Sequence, residues 1–218
     1  MKLKLIMVVC MVFTASVVFA EDKLELKTQK DKLSYAIGVD VGNSFKKSEI
    51  DMDPDILVRG IKDVLAGRTP LMTDLEVRET LMAAQMDIQA RRIEKNKAFL
   101  AANKKKKDVK VLPSGLQYKV ITAGKGRTPK ATDTVTVNYQ GTLVDGTEFD
   151  SSYKRGQPAT FPVNGVIKGW TEALQLMKEG SKWQLVIPAD LAYGEQGRPG
   201  IPPNSVLIFE VELMSVKE

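Results

Sequence analysis

Residues 73–112 contain neither proline nor glycine, and they open on Thr73-Asp74-Leu75-Glu76. That opening is a capping-box pattern, in which a threonine hydroxyl and a glutamate three residues later satisfy each other's backbone N–H groups. At about 100° per residue, Leu75, Met82, Met86, Ile93 and Leu100 fall on one narrow stripe, and the opposite side is rich in charge. The spacing predicts a single helix of roughly 30 residues, about 45 Å long. Such a helix needs a large apolar surface to lie against, and little upstream can supply it.

Two shorter helices precede it. Residues 31–45 (DKLSYAIGVDVGNSF) carry an apolar stripe of Leu33, Ala36, Ile37 and Val41. Gly38 and Gly42 stand four apart on one face of that helix. Each costs about 1 kcal/mol in a helix interior, so they mark either the close approach of another helix or simple tolerance. The next helix starts at Asp53-Pro54, an N-cap followed by proline at the first helical position. It carries Ile56, Leu57, Ile61, Val64 and Leu65 and stops at Gly67. One helical hairpin and a long rod make too small a core to fold alone. Two copies of the chain pairing through these helices solve the problem, so the expectation is a homodimer. The methionines of the long helix are read as core, with a forgiving apolar surface for unfolded chains as the alternative.

From residue 109 the apolar period falls to two. Residues 115–120 (GLQYKV), 134–139 (TVTVNY), 182–187 (KWQLVI) and 205–213 (SVLIFEVEL) read as strands. Asp145-Gly146 is a hairpin signal. One helical pattern interrupts the strands, at residues 170–177, and Gly180 ends it. The fold class expected is therefore α+β. Residues 21–70 would be a helical dimerisation region, 71–108 a long linker helix, and 109–218 an antiparallel sheet wrapped around one short helix.

The residue inventory excludes much chemistry. The 218-residue chain has no histidine, and Cys10 is its only cysteine. A Ser-His-Asp triad, a Cys-His pair and a His- or Cys-based zinc site are all ruled out. No glycine-rich phosphate loop supports ATP use. An enzyme built on this chain works with carboxylates, hydroxyls, backbone amides and pocket shape, and no cofactor is expected.

Residues 1–20 (MKLKLIMVVCMVFTASVVFA) place Lys2 and Lys4 before an apolar run that ends in Val18-Phe19-Ala20. This is the pattern of a cleaved secretory signal peptide. A lipoprotein site at Cys10 is disfavoured, because the residues before it lack the usual small-residue pattern. Cleavage after Ala20 removes two lysines and takes the net charge from +5 to +3. The mature chain would be exported to the periplasm, without disulfides. No later apolar run reaches the roughly 18 residues of a membrane span. Residues 21–108 hold 18 basic against 16 acidic residues, and residues 109–218 hold 12 against 11. Neither part has the excess expected of a nucleic-acid binder. The basic block 104–107 (KKKK) reads as a solvated helix end.

Between the strands lie Asp150, following Phe149, and a loop of glycine and proline, residues 192–203 (AYGEQGRPGIPP). The loop exceeds the usual connection length and is a candidate binding loop. Residues 141–153 (GTLVDGTEFDSSY), 166–197 (VIKGWTEALQLMKEGSKWQLVIPADLAYGEQG) and 201–213 (IPPNSVLIFEVEL) together resemble the FKBP-type peptidyl-prolyl cis-trans isomerases. The resemblance runs over residues 113–216. The upstream helices, including LSYAIG, resemble the dimerisation region of the macrophage infectivity potentiator branch of that family.

The resemblance implies a pocket between the short helix and a curved sheet. Tyr139 would line it, Phe149 and Asp150 would match the family's Phe-Asp pair, and Val166 and Ile167 its Val-Ile. The Ile167 N–H would bind a ligand carbonyl. Trp170 would form the floor, and Phe209 would match the aromatic of the last strand. Tyr193 would turn its hydroxyl to the ligand, and Ile201 would close the pocket from the loop. Asp150 and Tyr193 are the candidate catalytic residues. In Asp150 an orienting, electrostatic role is expected rather than proton transfer. Ala159 stands where many relatives carry an aromatic, so that edge should be more open. The loop is also shorter than in some relatives, with only Ile201 between Gly200 and Pro202. The implied partners are unfolded proteins with X-Pro bonds, and macrolide inhibitors of the family. The competing expectation is an ATP-independent holdase that grips unfolded chains in the cleft of the dimer.

Overall fold

A computed structural model describes residues 25–47 and 50–218. The segment read as a signal peptide lies outside the described residues. The chain divides into two units, with the boundary after Asp53.

The first unit contains α1, Gln29–Lys47. It begins as a reciprocal cap. Asp31 N donates to Thr28 Oγ1 at 3.1 Å, and Thr28 N donates to Asp31 Oδ2 at 2.8 Å. Its expected apolar stripe forms, but Leu33 and Ile37 stay exposed. Within its own unit, nothing among the described residues lies within 4 Å of where a Cβ on Gly38 or Gly42 would stand.

The second unit begins with α2, Pro54–Leu65, which starts at the proline and ends before Gly67 as the sequence predicts. The long helix α3 runs Asp74–Asn103 without a break. Its cap is the reciprocal one, with Glu76 N donating to Thr73 Oγ1 and Thr73 N donating to Glu76 Oε2 at 2.7 Å. Leu75, Leu81, Met82 and Met86 are exposed by about two-thirds, because the first half of α3 has no sheet beside it. The second half is anchored by polar side chains that hydrophobic periodicity does not reveal. Asn96 and Asn103 are its buried residues. Residues 104–107 are exposed beyond the helix end, as expected of a solvated block.

The rest is one antiparallel sheet of seven strands. β1 is Lys110–Val111, β2 Gln117–Thr122, β3 Thr134–Leu143, β4 Glu148–Ser151, β5 Ala159–Pro162, β6 Lys182–Ile187 and β7 Leu207–Lys217. The path is β1-β2-β6-β7-β3-β4, with β5 pairing β3 beyond the point where β4 stops. The short helix α4 is Lys168–Leu174. It starts and ends earlier than the period alone predicts. Ile167 takes the N-cap conformation, and the segment after Leu174 continues as single turns closed by Met177 N to Ala173 O.

Period two decides which side chains meet α4. Val135, Val137 and Tyr139 of β3, Leu185 and Ile187 of β6, and Phe209, Val211 and Leu213 of β7 point to one face. Trp170, Ala173, Leu174 and Met177 fill that face. The opposite face of β2 receives α3. Gln117 is buried, accepts from Asn103 Nδ2 at 2.9 Å, and donates Nε2 to Leu100 O at 3.0 Å.

Candidate functional site

The site grows from register. In the sheet Gly141 lies opposite Asp150 of β4 on one side and Phe209 of β7 on the other. A Cβ at position 141 would stand 2.6 Å from Phe209 Cε1 and 2.7 Å from Phe149 Cζ. Glycine here therefore lets the two phenylalanines meet over the strand, edge to face, with centroids 5.4 Å apart.

Trp170 sits among these rings. Its centroid is 5.2 Å from Tyr139, 5.2 Å from Phe209 and 6.0 Å from Phe161, each contact nearly perpendicular. Such edge-to-face pairs are favoured by the ring quadrupoles. The indole N–H is buried without an acceptor among the described residues. Buried donors usually find partners, so this indole edge is an exception and the contacts of Trp170 are made through its ring.

Phe161 is an aromatic of this site that the sequence reading passed over. It lies two residues beyond Ala159 on β5, on the same side of the strand, and packs against Tyr139 at 6.1 Å. The small Ala159 at that edge is thus accompanied by a ring one pleat further along. The signal was available, because residues two apart in a strand share a face.

A polar cluster closes one end of the aromatic set. Tyr139 Oη donates to Asp150 Oδ2 at 2.6 Å. Arg155 donates Nη2 to Tyr139 Oη at 2.7 Å, donates Nη1 to Asp150 Oδ1, and lies over the Tyr139 ring at 5.3 Å. Burial raises the pKa of Asp150, but the hydrogen bonds from Tyr139 and Arg155 outweigh it and hold the carboxyl below its ordinary value. Burial and the bond to Asp150 push the Tyr139 phenol above its ordinary value. Arg155 was not foreseen. It lies five residues past Asp150 in a turn, where no periodicity reports on partners. The buried Ser152 fixes the same corner by donating N to Tyr139 O at 2.9 Å and accepting from Tyr139 N at 2.8 Å.

At the start of α4, Val166 and Ile167 are half-buried against the core. The Ile167 carbonyl accepts from Trp170 N and Thr171 N, while its own N–H donates to no acceptor among the described residues. The long loop supplies the remaining residues. Ile201 is buried, and Tyr193 packs against the same core. The expected ligand-facing hydroxyl of Tyr193 already has a partner. Arg198 Nη1 donates to it at 2.9 Å and lies 4.9 Å over its ring. Among the described residues no group of three or more acidic or cysteine side chains is placed to hold a metal ion.

Comparison with known proteins gives two family matches. The profile of the FKBP-type peptidyl-prolyl cis-trans isomerases matches residues 125–214, and that of the domain amino-terminal to such isomerases matches residues 30–120. The chain is 49% identical to the outer membrane protein MIP of Legionella longbeachae, over 100% of this chain and 99% of that protein. It is 52% identical to the peptidyl-prolyl cis-trans isomerase Mip of Coxiella burnetii, over 88% of this chain and 89% of that one. Among solved structures, FkpA from Escherichia coli superposes with a TM-score of 0.59 at 44% identity, covering 88% of this chain and 99% of that chain.

Proposed function

We propose a mechanism for this chain, which belongs to the FKBP-type peptidyl-prolyl cis-trans isomerase family and is an enzyme of that type. Its aromatic pocket turns the X-Pro amide without breaking a covalent bond. The observation that carries the reading is the near-perpendicular enclosure of Trp170 by Tyr139, Phe161 and Phe209, with the polar cluster of Asp150 at one end.

Rotation about a peptide bond faces a barrier of about 18–20 kcal/mol. An X-Pro bond has nearly balanced isomers, and its exchange is slow. The planar amide carries charge on its carbonyl oxygen, which water favours. The twisted amide has lost that charge separation. An apolar slot therefore disfavours the planar form more than the twisted one. Trp170 would bear the proline ring, and Phe149 and Phe209 would wall it. The unspent Ile167 N–H would hold a substrate carbonyl. Asp150, kept ionised by Arg155 and Tyr139, would orient the turning amide. Tyr193 would donate its hydroxyl hydrogen. Val166 and Ile201 would support the pocket from the helix start and the loop.

The test is the cis-to-trans rate of a Leu-Pro peptide with the full chain and with Trp170→Ala and Asp150→Ala. Acceleration by the parent, lost in both variants while they remain folded, is expected. A folded parent that gives no acceleration overturns the pocket reading.

The exposed apolar side chains on each of α1, α2 and α3 support two further parts of the proposal. Residues 21–70 would pair two chains, residues 71–108 would carry the isomerase region, 109–218, away from the pair, and the cleft between would hold unfolded exported proteins. The exported, periplasmic setting is part of the same reading, and macrolides of the kind that fill such pockets would compete with substrate. Replacing Leu33 and Ile37, exposed on α1, with glutamate should convert a dimer to monomer in sedimentation velocity, abolish suppression of aggregation and leave peptide isomerisation intact. A parent that sediments as monomer removes the dimer from the proposal.

A further inference from the structure

Two arginines of the site repeat one motif. Arg155 lies over the ring of Tyr139 and donates to its hydroxyl; Arg198 lies over the ring of Tyr193 and donates to its hydroxyl. They differ in charge balance. Arg155 is paired with Asp150, whereas Arg198 forms no ion pair among the described residues. Its side chain is exposed at the loop tip.

The tip is built to hold it there. Arg198 and Ile201 exchange both backbone hydrogen bonds, Arg198 N to Ile201 O at 2.9 Å and Ile201 N to Arg198 O at 2.8 Å. Pro199 and Gly200 make the turn between them, and Gly200 has φ +83°, which glycine adopts without strain. Ile201 is buried in the core. One residue of this small hairpin is thus fixed under the pocket and its partner is fixed at the rim.

We propose that Arg198 is a specificity-determining residue, an unneutralised cation at the rim that favours substrates with an acidic residue next to the proline. A proline ring seated on Trp170 leaves its flanking residues to cross the rim. There a carboxylate gains attraction and a lysine meets repulsion. The contact with Tyr193 adds direction, because a guanidinium stacked on a ring and bonded to its hydroxyl cannot swing freely into solvent. The effect of one exposed charge is modest, about two- to fivefold in rate.

The inference rests on the isomerase pocket proposed above, and a neutral peptide separates the two. Full-length parent, Arg198→Gln and Arg198→Lys are assayed for kcat/KM on X-Pro peptides with Glu, Leu or Lys on either side of the proline, at low and raised salt. Acceleration of the Leu peptide by the parent tests the pocket alone. The expected parent result is a Glu-to-Lys ratio well above one on at least one flank, shrinking as salt screens it. The ratio falls about two- to fivefold in Arg198→Gln and stays raised in Arg198→Lys. An equal ratio in parent and Arg198→Gln overturns the inference. So does a uniform loss on all peptides, which would make Arg198 a support for Tyr193 only.

Discussion

Asn96 Nδ2, on the long helix, donates to the backbone carbonyl of Asn204 at 2.6 Å, across 108 residues of sequence. Asn204 sits at the base of the pocket loop in a left-handed conformation, φ +57°, and its N–H closes the loop on Gly194 O at 2.9 Å. The α3 helix is therefore a strut for the loop that carries Tyr193 and Ile201. Asn96→Ala leaves the Asn204 carbonyl without its partner, which costs about 1–3 kcal/mol. The expected result is lower stability in urea and a reduced peptide rate, although Asn96 lies outside the aromatic set. Lower stability with an unchanged rate would show that the loop keeps its shape without the strut.

The Asp150 cluster separates charge from shape. Asp150→Asn keeps the volume but removes the carboxylate that pairs with Arg155 and accepts from Tyr139. Losing a bond to a charged group corresponds to roughly a tenfold fall in kcat/KM. Tyr139→Phe keeps the wall and should cost less. Equal losses would mean that the hydroxyl, and not the charge, is what the substrate senses.

The pH profile should be flat where most enzymes titrate. The chain has no histidine, and Asp150 is held below the ordinary carboxylate value. Its pairing stabilises the fold fully above the unfolded carboxyl's pKa, about 3.9, and that stabilisation is lost as pH falls through the lower folded value. Tyr139 runs the other way, with its phenol pushed up. Its contribution is complete below the unfolded phenol's pKa, about 10, and is lost as pH rises through the folded value. The peptide rate should show no step between about pH 5.5 and 8, since no unperturbed group of the pocket titrates there. An inflection near neutrality would point to a group outside the cluster.

Gly141→Ala should be far more harmful than its one methyl suggests. The new Cβ would overlap both Phe209 and Phe149, and neither ring can retreat without leaving Trp170 or the sheet. Overpacking of this kind costs about 1–3 kcal/mol. Chemical denaturation should show that loss, together with a fall in peptide rate. A variant with parental stability and rate would mean that the phenylalanines can repack.

Much of the fold was legible because its signals are local. The cap at Thr73, the run without glycine or proline, and the Asp145-Gly146 turn each act within a few residues. Each appears where the sequence places it, with Leu143 N bonded to Thr147 O across the turn. Strand period identified the strands of residues 134–139, 182–187 and 205–213, and family resemblance pointed to Tyr139, Phe149, Asp150, Trp170 and Phe209. What stayed hidden depends on partners distant in sequence or set by turn geometry. Phe161 enters the aromatic set because β5 pairs with β3. Arg155 and Arg198 reach their tyrosines from turns, where no periodicity aims a side chain. Asn96 and Asn103 are polar residues of α3 that are buried through partners distant in sequence or outside the helix.

The sequence by itself determined the three leading helices and the four strands of strong alternation, because hydrogen bonding and apolar period act over a few residues; the short strands β1, β4 and β5 form only by pairing within the sheet. Only the tertiary structure decided which charges are neutralised and which polar groups are spent. It set Asp150 on Arg155 but left Arg198 with a tyrosine alone. Those outcomes depend on distances of a few ångströms between residues joined by sheet register and turn geometry, and a linear pattern does not carry such distances.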